Sequence, residues 1–191
     1  MDLTSSVRTD TLPALGSVVA PGALALSPYI ALFLIRHPRV ASYFAAHEAT
    51  ALSAGLVLSI GGGFLVESFG SYVEYYLLDR RHADRPSMIR SWWRYLRIAW
   101  KTEPTGQHYL RRILTIFKFE LNAFVAMSAA LPGLLWIACA GVLQSSAIVA
   151  LVVGSIVTAV YLFHAAGQTS LLLAQIRAQL LEGVGEPPFE G

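Results

Sequence analysis

The sequence predicts an all-α membrane protein: a polytopic bundle of four transmembrane helices with an amphipathic helix at the cytoplasmic interface. Three observations carry that expectation. Hydrophobic residues make up 55% of the 191 positions and charged ones only 14%, with a mean hydropathy of +0.55, a balance wrong for a water-soluble domain and usual for one solvated by lipid. Charge-free stretches recur at lengths suited to a bilayer core, which takes about 20 apolar residues at a rise of about 1.5 Å each. Basic residues collect in one segment: of fourteen Lys and Arg, Arg80, Arg81, Arg85, Arg90, Arg94, Arg97, Lys101, Arg111 and Arg112 all fall within residues 79–112. The length suits one membrane domain over 1–191 without a separate soluble catalytic domain, so any chemistry belongs in or against the bilayer.

The first element covers 12–35. It is charge-free but carries Pro13, Pro21 and Pro28 with Gly16 and Gly22, so its helix is expected to be kinked or broken, with a re-entrant path as the alternative to full crossing. It does not read as a removable signal peptide, because Asp2 and Asp10 outweigh Arg8 and no small-residue cleavage site follows a clean apolar core. The second element, 49–78, starts with a clean apolar run whose helical pattern continues through Glu67 and Glu74. The third and fourth, 113–142 and 147–173, come from a stretch over 121–163 without a charged residue, too long for one span and right for two antiparallel helices. Their turn is expected at the polar break Leu143-Gln144-Ser145-Ser146, with Pro132-Gly133 as a kink; the alternative puts the turn at that proline. Cys139, the lone cysteine, lies inside the apolar stretch and reads as a packing residue without an internal disulfide.

Short basic loops stay in the cytoplasm, which places 79–112 inside. Four spans then put both termini inside, the tail 177–191 included, in what reads as a bacterial inner membrane. Arg36 and Arg39 fall on the outer connection, a mild conflict that a three-span version with a re-entrant first stretch would remove.

The inside loop carries its own pattern. In "SMIRSWWRYLRIAWK", Arg90, Arg94, Arg97 and Lys101 form one basic stripe at helical spacing, while Trp92, Trp93 and Trp100 share the apolar surface with Ile89, Leu96 and Ala99. Such a helix lies in the interface, with rings at headgroup depth and cations on anionic phosphates. The plainer reading is a helix that packs beneath the bundle and fixes topology by its charges. Membrane lipid or a cytoplasmic protein is therefore the expected partner. Nucleic acid is not, since lipid accounts for both the aromatic and the basic residues.

The spans carry an intramembrane polar cluster of their own: Glu67, Glu74, Glu120, His164 and Gln168. Counted from the cytoplasmic helix ends all five lie in the inner half, with Glu67 and His164 at matching depth and Glu120 and Gln168 in a shallower layer. Gly55, Ser59 and Gly63 continue the stripe of Glu67, Gly70 and Glu74, a small-residue surface for close helix packing that also suggests a homo-oligomer. Ionisable groups in hydrocarbon are costly unless paired or hydrated. Glu67 and His164 are accordingly candidates for a buried hydrogen-bonded pair, a proton path or ligands to a metal; no metal is assigned, because no Glu-x-x-His or His-Glu-x-x-His spacing is present. In the structural reading Glu74 and Glu120 neutralise Arg80, Lys118 or their neighbours. Ser68 and Ser71 lack nucleophile-elbow spacing, so serine hydrolysis is not expected.

Two classes of function follow. One is a small inner-membrane subunit that self-associates and presents its basic, Trp-rich loop to anionic lipid or to a partner, as an anchor, sensor or effector, stress and antiviral defence included. The other is a small transporter, ion channel or intramembrane metal-dependent enzyme built on the Glu and His residues. Cofactor and catalytic residues are not specified by the sequence.

Overall fold

The computed structural model describes residues 3–75, 105–141 and 145–183. Its five helices are α1 (Leu3–Arg36), α2 (Pro38–Ala46), α3 (Glu48–Val73), α4 (Thr105–Cys139) and α5 (Ser145–Gly183), and no strand occurs among the described residues. Among the described residues four stretches are long and apolar enough to cross a membrane: Gly16–Arg36, Glu48–Val73, Arg112–Cys139 and Val149–Ile176. The basic, Trp-rich helix expected at 87–101 and the extension of the second span to Leu78 lie outside the described residues.

The long helices run up and down, and α4 is central. It packs along α1 on one side and α5 on the other, α1 packs along α3, and α3 leans on α4 over a shorter length; α3 and α5 share no substantial contact. Burial follows this order, since 39% of the spanning residues of α4 are buried against 17% in α3 and in α5. One apolar cluster joins Leu110, Ile113, Phe117 and Leu121 of α4 to Ala166 and Leu173 of α5. A second, of Ala25, Val66 and Ala126, joins α1, α3 and α4. Many exposed side chains elsewhere on α3 and α5 are large and apolar, among them Leu52, Phe64, Phe69, Val157 and Val160, which suits surfaces solvated by lipid tails.

Of the two outcomes expected at the prolines of the first stretch, a kink or a break, the break does not occur: α1 is continuous from Leu3 to Arg36. A proline lacks the N–H that would satisfy the carbonyl four residues earlier. For Pro28 that carbonyl is Leu24 O, which accepts a hydrogen bond from Ser27 Oγ at 2.9 Å. For Pro21 it is Ser17 O, which accepts from Asn122 Nδ2 of α4 at 3.4 Å. One repair is local and the other comes from a neighbouring helix, and such replacements let proline persist within a membrane helix.

Pro132 likewise sits inside α4, so the turn falls later. The helix closes at Cys139, with Ala140 N–H on Trp136 O at 3.0 Å and Gly141 N–H on Ala138 O at 3.1 Å. Gly141 takes φ +66°, a left-handed conformation that glycine adopts without a Cβ penalty. The α1–α3 connection is itself helical. Pro38 starts α2 at a position where its missing N–H costs nothing, Val40, Ala41 and Phe44 are half-buried while Ser42 and Tyr43 are exposed, and Glu48 places a negative charge at the amino end of α3.

Candidate functional site

Helix α3 reaches its neighbours through glycine. A Cβ at Gly22 would run into the backbone of Ser59 and Gly63, and one at Gly63 would run into Val18, so α1 and α3 cross at backbone contact distance. Ser59 and Gly63 of the expected packing stripe are thus covered by α1 of the same chain. Gly55 faces open space. Further along α3, a Cβ at Gly70 would stand 2.6 Å from Asn122 Oδ1, which brings α4 against the same helix.

Asn122 is the most buried polar side chain described, at 2% exposure. Its amide nitrogen serves Ser17 O, while Oδ1 is buried against Gly70 without a hydrogen-bond partner. Its position at the junction of three helices was not among the sequence candidates. The available signal was a lone amide beginning an otherwise apolar run, set against a proline in another helix.

One turn towards the basic end, Lys118 Nζ donates to Glu74 Oε2 at 2.8 Å and ties α4 to α3. On the other side of α4, Thr169 Oγ1 donates to Glu120 Oε2 at 2.8 Å and ties it to α5. Glu120 therefore meets the residue after Gln168, and Lys118 is the cation on Glu74. Glu67 is half-buried on α3. His164 and Gln168 are exposed on the side of α5 turned away from α4, since Ala159, Ala166 and Leu173 occupy the face packed against it. The fold does not join Glu67 to His164. Among the described residues no group of three His, Cys, Asp or Glu is placed to hold a metal ion.

The opposite end of the bundle holds a second set of polar contacts. Arg36 Cζ stands 4.9 Å from the ring centroid of Trp136, a cation–π contact between the ends of α1 and α4. Tyr43 and His47 stack at 4.3 Å, and His47 Nδ1 lies 2.9 Å from Tyr43 O. Arg36 and the aromatic groups thus sit where a membrane–water boundary would fall, the usual level for such side chains.

Four helices of this length and apolarity, in a chain all-helical over its described residues, define an integral membrane protein. Comparison with protein families, with curated proteins and with solved structures finds no match to this chain.

Proposed function

We propose that the chain is a small membrane subunit that self-associates and presents its basic, Trp-rich segment 79–112 to anionic lipid, as an anchor, sensor or effector. In this reading α1 crosses the bilayer fully, both termini are cytoplasmic and the membrane is a bacterial inner membrane. The supporting observation is how the titratable groups at the basic end of the bundle are used. Lys118 is taken by Glu74 and Glu120 by Thr169, so each holds two helices together instead of converging on a common point. The basic and aromatic residues that would meet anionic lipid are those the sequence gathers in one segment, Arg90, Arg94, Arg97, Lys101 and three of the four tryptophans.

The reading is tested by reconstituting the full chain with Trp136→Phe, so that fluorescence reports only Trp92, Trp93 and Trp100. Brominated lipid should quench these rings more strongly in bilayers containing anionic lipid than in zwitterionic ones. Replacing Arg90, Arg94, Arg97 and Lys101 by Gln should remove the difference. Equal quenching in both bilayers before that replacement would count against the proposal.

A second reading, a small transporter, ion channel or intramembrane metal-dependent enzyme, is favoured by one observation: neither Glu67 nor His164 makes a hydrogen bond or ion pair with another described residue. Proton flux in liposomes, or metal retained by the purified protein and lost in Glu67→Gln, would support it.

A further inference from the structure

Glu67 and His164 lie in one layer of the bundle on helices that do not pack together. Two contacts set the register of α3 against α4: Glu74 with Lys118, and one turn outward Gly70 with Asn122. Another turn outward places Glu67 level with Val125. Two contacts do the same for α4 against α5: Glu120 with Thr169, and Phe124 with Phe163, ring centroids 5.1 Å apart. Val125 is therefore level with the Phe163–His164 step. The carboxylate and the imidazole share a depth, yet His164 points away from the bundle while Glu67 stands at the flank of α3, half exposed.

An ionisable group on the outer surface of a span meets hydrocarbon unless something polar covers it. Here each group has the chemistry the other lacks, an anion or acceptor at Glu67 and a donor at His164, at equal depth on different surfaces of one chain. We propose that a second copy of this chain supplies the missing partner, Glu67 of one protomer meeting His164 of the next. Resting on the self-association already proposed, this specifies its contact. A two-fold dimer makes this contact twice, whereas a heterologous arrangement repeats it from copy to copy and closes into a ring where the rotation permits. The contact leaves the Ser59–Gly63 surface to α1. It also places Gln168, one turn from His164 on the same exposed face, at the contact with the neighbouring copy.

The contact is tested with two differently tagged full-length copies, both Cys139→Ala, one carrying Glu67→Cys and the other His164→Cys. After coexpression and mild oxidation in native membranes, a disulfide-linked dimer containing both tags is expected. Its yield should be several-fold above that of Glu67→Cys paired with Val149→Cys, an exposed position at the far end of α5. A yield no higher than this control, or His164→Cys linking chiefly to itself, would overturn the proposal. Native mass measurement in lipid-retaining detergent separates the two levels of the argument. Oligomers without the specific cross-link refute this contact alone, and a monomeric protein refutes self-association as well. Because cysteine at either site could disturb folding, charge exchange gives an independent readout: Glu67→Lys should lower the oligomeric fraction, and adding His164→Glu should restore it. Failure of the double variant to restore it, with the monomer still soluble and helical, would also refute the contact.

Discussion

A carbonyl that Pro21 leaves without its helical N–H is answered by an amide three helices later in the chain, and this pairing explains why a polar side chain stands at the most buried junction of the fold. Asn122 has two functions to balance there: its nitrogen satisfies Ser17 O, while its oxygen is unpaired against Gly70. A buried donor–acceptor pair contributes about 1 kcal/mol net, and an orphaned buried group costs about 1–3 kcal/mol. The two residues should consequently be coupled. Asn122→Leu is expected to lower stability with Pro21 present and to cost less with Pro21→Ala, which gives Ser17 O a backbone donor again. A double-mutant cycle read by thermal unfolding in detergent should show coupling of about 0.5–3 kcal/mol; strictly additive losses would show that the amide serves no such repair.

Between elements, what matters is how closely two backbones approach. Gly22 and Gly63 bring α1 and α3 together with no space for a Cβ, so Gly63→Leu should lower the unfolding midpoint, overpacking typically costing about 1–3 kcal/mol or more. Gly55→Leu, on the same stripe but facing open space, should leave the midpoint nearly unchanged. The pair separates an internal packing surface from an external one, because a stripe used between copies would make both variants lower the oligomer mass. Polar ties act at the same scale. Glu74–Lys118 and Glu120–Thr169 bind α3 and α5 to opposite sides of α4, and with side-chain exposures of 31% and 34% in the first pair, their role is register and orientation more than bulk stability.

For the molecule as a whole, the proposal makes an orientational prediction. The end of the bundle bearing Glu74, Lys118 and Arg112 faces the cytoplasm together with segment 79–112, and the end bearing Arg36, Trp136 and α2 faces outward. In a Cys139→Ala background, cysteine introduced at Ser87 or Thr105 should resist a membrane-impermeant thiol reagent in intact cells and react after permeabilisation. Cysteine at Ser42, exposed on α2, should react without it. The reverse pattern would invert the topology and remove the cytoplasmic lipid surface from the proposed function.

The membrane character and the number of long apolar helices among the described residues were legible in the sequence, because bilayer thickness imposes a length and an absence of charge that one chain displays without reference to its neighbours. The contacts of α4 with α3 and with α5 give the register from which the proposed Glu67–His164 contact between copies is argued. Which helix lies beside which was not legible, because apolar faces in lipid carry no directional mark, and helices associate through packing and local polar contacts that only the assembled bundle specifies. Tertiary structure alone therefore decided that α1 covers Ser59 and Gly63, that Asn122 repairs the helix at Pro21, and that Glu67 and His164 stand on helices without substantial mutual contact. Depth is a property of one helix, whereas adjacency is a property of pairs.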